Sequence, residues 1–239
     1  MKALKKSTRA SRARSRSAAA TTGIPPQLWP TSTTSVRSRR STSSTRKSTA
    51  ATRRAIEEAA RDLFVESGFE KTTVDEIARR ARVAPATVYA VTGGKQGLLK
   101  TLIESRTSAP DVAEDYARIE SQPDADTLLR FVVRATRERF ERSAPLMRVI
   151  VTTAPHHENA AEALALANAS LRGGLELAAR RLADLGALRP GIDVEEATGR
   201  LWYHVCNASY FTLVDDNGWP LDKAEQWLYE SLRAALLTR

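Results

Sequence analysis

Apolar side chains recur along most of this chain at helical spacing, and no alternating strand pattern stands out anywhere. Ile56, Ala59, Ala60, Leu63 and Phe64 share one face of a helix that stops at Gly68. Glycine accepts the left-handed backbone that ends helices, and Phe69 is placed for the hydrophobic contact that often follows. Thr73-Val74-Asp75-Glu76 reads as a capping box, in which hydroxyl and carboxylate satisfy each other's backbone amides. Ile77 and Ala78 continue a two-turn helix to about Ala81. After a turn at Arg82-Val83-Ala84, Pro85 suits the first position of a new helix, where its missing N–H would have no partner. That helix, about Pro85–Val91, is too short to bury two faces. Val88 is expected to point inward, leaving Ala86, Thr87, Tyr89 and Ala90 outward. Short helices joined by tight turns make a helix-turn-helix over about 73–92, an arrangement that places a helix in a DNA major groove.

The remaining pattern is helical to the end. Lys95–Ser105 carries Leu98, Leu99, Leu102 and Ile103 on one face, and Pro110 ends the link that follows. Helices are expected at about 111–121, 124–142 (Leu128, Phe131, Val132, Ala135, Phe140), 144–153 (Leu146, Val149, Ile150) and 158–185. Two more are expected at about 193–216 and 220–237. Gly186, Pro190-Gly191, Gly218 and Pro220 mark breaks, and Asp193 and Pro220 suit helix starts. The fold class is therefore all-α. On 193–216, Leu201, Val205, Ala208 and Thr212 lie beside a second apolar row of Trp202, Cys206, Ser209 and Leu213. A helix apolar over so wide an arc is buried on more than one side.

Charge divides the chain of 239 residues unevenly. Of its 37 Lys and Arg, twelve fall within residues 1–47, which hold no Asp or Glu. The other 25 face all 28 acidic residues, so residues 48–239 carry a net charge of −3 against +9 for the whole. The N-terminal segment is rich in Ser, Thr, Ala and Arg and poor in apolar residues, so it reads as a disordered basic tail. Such a tail adds phosphate contacts, and Arg46 and Lys47, with Arg53 just beyond, are candidates for them. Two alternatives stand beside this reading: a transit peptide of similar composition, or sequence ahead of a later true start. No run of about 18 apolar residues occurs, so no membrane span is expected.

The motifs "AIEEAARDLFVESGFEKTTV", "IARRARVAPATVY" and "GGKQGLL", in that order over residues 50–108, resemble the tetracycline-repressor (TetR) family of bacterial transcriptional regulators. The resemblance implies a DNA-binding head over 50–108 and a helical regulatory and dimerisation domain over 109–239. By it, Thr73 and Lys95 meet phosphates from helix starts. Ala84, Pro85, Ala86, Thr87 and Tyr89 face the DNA. It also implies a homodimer through helices 193–216 and 220–237 on a palindromic operator, released by a small-molecule effector, in the cytoplasm with the nucleoid. The alternative is a constitutive DNA-binding or architectural protein whose helical domain only dimerises. Three residues depart from the family pattern. Arg82 stands for a turn glycine, Ala84 for a Ser or Thr cap, and Thr92 for an aromatic.

Nothing in the sequence argues for an enzyme, a cofactor or a metal. The single Cys206 excludes an internal disulfide, and His156, His157, Glu158 and His204 have no ligand spacing. The histidine pair reads as loop or helix-start residues. Gly93-Gly94-Lys95 lacks the earlier glycine and the strand of a phosphate-binding loop. Met147, Trp202, Tyr203, His204 and Phe211 are the candidates for an effector pocket.

Overall fold

The computed structural model describes residues 41–238, with side chains from Thr49 onward. The elements are α1 (Ser41–Ser67), α2 (Val74–Ala81), α3 (Pro85–Thr92), α4 (Lys95–Thr107) and α5 (Pro110–Ser121). There follow α6 (Ala125–Thr153), α7 (Glu158–Asp184), α8 (Val194–Val205), α9 (Asn207–Tyr210), a π-helical turn (Phe211–Asp216) and α10 (Leu221–Leu236). The fold is all-α, and an isolated bridge between Leu188 and Leu237 is the extended pairing recorded among the described residues. Most of the segment read as a basic tail, residues 1–40, lies outside the described residues. Its last seven residues, 41–47, are helical backbone continuing α1. Once an amphipathic helix is nucleated at Ile56–Phe64, adding Ser, Thr and Arg to its end is far easier than starting a helix there.

Two apolar cores share the long pair α6 and α7. One collects Phe64 and Phe69 with Ile77, Val88, Leu98 and Leu99, then takes Leu146, Met147 and Ile150 from the end of α6 and three alanines from the start of α7. The other takes Leu128 to Ala144 of α6, Leu171 to Leu182 of α7, and the inner faces of α8 and α10. Complete burial of a large apolar side chain contributes about 1.5–3 kcal/mol.

Pro145 lies where α6 passes from one core to the other. The sequence suggested separate helices at 124–142 and 144–153; the structure holds one helix, with Pro145 inside it. Proline removes one N–H and crowds the carbonyl four residues back. Buried Ala144 and Leu146 on either side, one in each core, hold the helix through that defect.

The expected helix 193–216 is instead broken into three pieces. Cys206 adopts an extended conformation (φ −70°, ψ 164°) between α8 and α9. The hydroxyl of Ser209 donates to the Tyr203 carbonyl that the break frees. The interruption brings Tyr210 into the core, stacked on Phe140 with ring centroids 4.8 Å apart. Its hydroxyl donates to the Val133 carbonyl at 3.3 Å and lies 3.3 Å from the Thr136 hydroxyl. Burial pushes the Tyr210 phenol up to about 12. Neither glycine nor proline announces this break in the sequence.

Candidate nucleic-acid interface

The turn between α2 and α3 sets the direction of α3, and each of its parts is local. Thr73 Oγ1 accepts from the Glu76 amide at 3.2 Å, while the Glu76 carboxylate accepts from the Thr73 amide at 2.9 Å, completing the capping box. That amide, more than any nearby cation, holds the Glu76 carboxyl below its ordinary range. α2 ends at Arg82, whose φ of 57° makes it the non-glycine residue in left-handed conformation among those described. A side chain there costs on the order of 1–2 kcal/mol. Ala84 sits at the cap of α3 without a side-chain hydrogen bond, and Pro85 opens the helix.

Val88 is fully buried, and Tyr89 is 59% exposed. Ala84, Pro85, Ala86 and Ala90 are exposed as well, whereas Thr87 is half-buried at the edge of that face. α3 therefore presents a small, mostly apolar surface with one aromatic ring. The Tyr89 ring rests over Gly94, where an added Cβ would lie 2.9 Å from its Cε1. At Gly97 an added Cβ would lie 1.9 Å from the Thr92 carbonyl oxygen, so only glycine lets α4 start this close to the end of α3. Thr92, the departure from the family's aromatic, is buried and donates its hydroxyl to the Val88 carbonyl at 2.8 Å.

Two candidate phosphate ligands are engaged within the protein. Lys95 Nζ donates to the carbonyls of Phe69 (3.0 Å) and Glu70 (3.3 Å) and lies 4.5 Å from the Phe69 ring centroid. The end of a helix leaves unpaired carbonyls that attract a cation, so Lys95 fastens the loop after α1 to the start of α4. His157, at the cap of α7, holds the same loop through Glu70 at 2.5 Å, in keeping with a helix-start histidine. Arg53 donates to the Val91 carbonyl at 3.2 Å and thereby ties the end of α3 to α1. Arg46 and Lys47 lie on α1, and their side chains lie outside the described residues.

The five residues suggested for an effector pocket are not brought together. Met147 is buried in the core beneath the head. Trp202, Tyr203 and His204 border a surface groove with Trp227, and Phe211 packs on Phe140 at 5.5 Å. Tyr203 is 75% exposed and Trp227 44%. A different cleft opens between α5, α6 and α7, bordered by Tyr116, Ile119, Phe131, Arg139 and Leu171. The available signals were Arg139 within the apolar pattern of α6 and the pair Gly173-Gly174 inside α7. Among the described residues no group of three or more His, Cys, Asp or Glu is placed to hold a metal. No described helix is long and apolar enough to cross a membrane.

Residues 56–102 match the family described as bacterial regulatory proteins, tetR family. No curated protein matches the chain in sequence. Among solved structures, SmeT in complex with triclosan superposes with a TM-score of 0.64 at 23% identity, covering 79% of this chain and 92% of that one. SmeT is described as the repressor of the Stenotrophomonas maltophilia multidrug efflux pump SmeDEF. NalD, the secondary repressor of the MexAB-OprM multidrug efflux pump in Pseudomonas aeruginosa, gives 0.62 at 23% identity, covering 80% and 98%. The fatty acid degradation regulator FadR from Bacillus halodurans gives 0.60 at 17% identity, covering 75% and 93%. At such identities the likeness is one of fold.

Proposed function

We propose that this chain, whose residues 56–102 match the family described as bacterial regulatory proteins, tetR family, is a transcriptional repressor that binds a palindromic operator as a homodimer and leaves it when a small molecule binds. The observation that carries the reading is α3. One buried residue, Val88, anchors it, and its outward face of Ala86, Tyr89 and Ala90 is free. A helix built this way offers short side chains to base edges and an aromatic ring to the groove wall. The starts of α3 and α4 supply backbone amides for phosphates. The Lys95 ammonium, held by two carbonyls, braces the start of α4 and keeps its positive charge there.

The dimer part of the reading rests on α8 and α10. Tyr203 and Trp227 are exposed there, with Trp202 partly so, around one apolar groove. Aromatic side chains clustered on an open face favour association. A two-fold copy matches half-sites about 34–36 Å apart on one face of DNA. Support for the effector comes from SmeT, a repressor of the same fold solved in complex with triclosan.

The test is a footprint on duplex DNA carrying the chain's own upstream region, with sedimentation of the protein alongside. Two protected half-sites one helical turn apart and a dimer in solution are expected, and Trp227→Glu should yield a folded monomer that protects neither. A monomeric wild type with a single protected site would overturn the dimer reading. Protection that no member of a broad metabolite and drug panel relieves would favour the constitutive binder.

A further inference from the structure

We propose that the cleft between α5, α6 and α7 binds a small organic carboxylate, its anionic group on Arg139 and its apolar part between Ile119, Phe131 and Leu171. The inference rests on the effector reading above and supplies the chemical class of that effector.

Arg139 is the residue that needs a partner. It projects from α6 into the cleft, partly withdrawn from water. Among the described residues it makes one side-chain hydrogen bond, to the Ala167 carbonyl at 3.4 Å, and no ion pair. A guanidinium has five donors, so most of this one's capacity has no protein partner among the described residues. Other arginines of the same helix are paired: Arg137 with Glu225 at 2.6 Å, and Arg148 with Asp215 at 2.6 Å. Desolvation presses the Arg139 guanidinium below the usual arginine range, and the charges of Arg106 and Arg142 press it further. It remains a cation at neutral pH.

The charges facing the site leave a positive surplus. Arg106, Arg139 and Arg142 line the cleft, with Asp115 as the acid among them. Asp111, just outside, takes Arg106 in a bidentate pair (2.8 and 2.9 Å) and Arg142 at 3.7 Å. Asp111 takes Arg106 and Arg142, and Asp115 takes Arg118, which leaves Arg139 as the cleft cation without an acidic partner among the described residues. Asp115 lies 3.9 Å from Arg118, and burial raises its pKa.

Two hydroxyls of the cleft are committed, and Ser170 also borders it. The Tyr116 hydroxyl donates to the Ser170 carbonyl at 2.9 Å, and the Thr136 hydroxyl to the carbonyls of Val132 and Val133. The Tyr116 ring closes the far wall over Gly174, where an added Cβ would lie 2.9 Å from it. What remains is one unpaired cation and the Ser170 hydroxyl beside apolar walls, complementary to a single anionic group on an apolar body. A cavity of about 60 Å³ holds roughly four waters, so the ligand is small or must press α5 outward. Arg106 ends α4, so a carboxylate arriving beside it competes with Asp111 and loosens the helix whose other end lies under Tyr89.

Calorimetry on the full chain with hexanoate and benzoate, against hexanamide, benzamide and hexylamine, tests this. A charge-assisted pair predicts that each acid binds roughly ten- to a hundredfold tighter than its amide. That preference should vanish in Arg139→Met and persist in part in Arg139→Lys. The acid-to-amide ratio of the wild type needs no variant, so a misfolded Arg139→Met leaves the test intact. Equal binding of acid and amide, tighter binding of hexylamine, or a preference kept by folded Arg139→Met would overturn the proposal. Release of DNA by neutral or cationic compounds but by no carboxylate would overturn the anionic class and leave the effector reading standing. Carboxylate binding through Arg139 with unchanged DNA affinity would keep the site and overturn the effector reading.

Discussion

The core beneath the head and the core beneath α8 and α10 share two helices, yet they are filled differently. Where α7 runs under the head, its buried residues are Ala160, Ala163 and Ala167, with Leu164 and Leu166 partly buried beside them. Further along the same helix Leu171, Leu175 and Leu182 are buried, together with Ala178 and Ala179. The second core is also laced by long-range polar bonds: Arg137 to Glu225, Arg148 to Asp215, and the Tyr229 hydroxyl to Asp126. The head has local devices, a capping box and a left-handed turn, and its longer ties include Lys95 and Arg53 on backbone carbonyls. A helix lying on alanines gives up fewer van der Waals contacts when it shifts than one interlocked with leucines. Movement is therefore easiest at the head end, between α4 and the start of α7. Under the proposed function, that is where movement would change the spacing of the reading helices.

The largest expected effect comes from emptying one core and leaving the other. Phe64→Ala should cost about 3–5 kcal/mol, with faster amide exchange in α1 to α4 and unchanged protection in α8 and α10. Equal loss of protection in both regions would mean that the cores are one. Overfilling the alanine track comes next. Ala163 is fully buried, and Ala163→Leu should cost about 1–3 kcal/mol, measurable as a shift in denaturation midpoint, and should also lower operator affinity by displacing α4. The same midpoint with normal DNA binding would show that the track has slack.

Arg82→Gly should remove the left-handed cost of about 1–2 kcal/mol and add glycine's entropic cost of about 0.5–1 kcal/mol. A net gain of about 0.5–1 kcal/mol is expected in urea denaturation, and a loss would mean that the Arg82 side chain makes a stabilising contact. The smallest effect separates the polar lacing of the second core from the local caps of the first. The hydroxyl of Tyr229, then Arg130, holds the Asp126 carboxyl below its usual range. A depressed carboxylate contributes stability above its unfolded pKa of about 4, and that stability is lost as pH falls through the folded value. Asp126→Asn should therefore cost at most about 1 kcal/mol at neutral pH, with melting temperatures of variant and wild type converging below about pH 4. A gap that is constant with pH would remove Asp126 from the acid response.

Most of the head was legible because its determinants lie within a few residues of one another. Thr73 and Glu76, Pro85 and Val88 announce themselves locally. What the sequence hid there was the destination of long side chains: Lys95 and Arg53 reach carbonyls 26 and 38 positions away. In the second region the helices at 158–185 and 220–237 could be read from spacing, but two of their neighbours could not. Pro145 resembled a stop because proline usually is one, and only packing on both sides keeps α6 continuous. Cys206 resembled helix interior, and the break there answers to Tyr210 finding partners on α6. The cleft could not be assembled from its scattered signals for a related reason. Arg139, Tyr116 and Gly174 come from three helices, and no spacing rule brings them together.

The central claim is that α3 reads DNA through the face opposite Val88, and the affinity of the protein for its own upstream duplex against a shuffled duplex tests it most directly. The wild type should prefer its own sequence by at least about a thousandfold at fixed salt. Tyr89→Ala and Thr87→Ala should each remove roughly tenfold of that preference, about the share of one base pair, while leaving affinity for the shuffled duplex unchanged. A preference that survives both substitutions intact, or a wild type that binds the two duplexes equally, would contradict it.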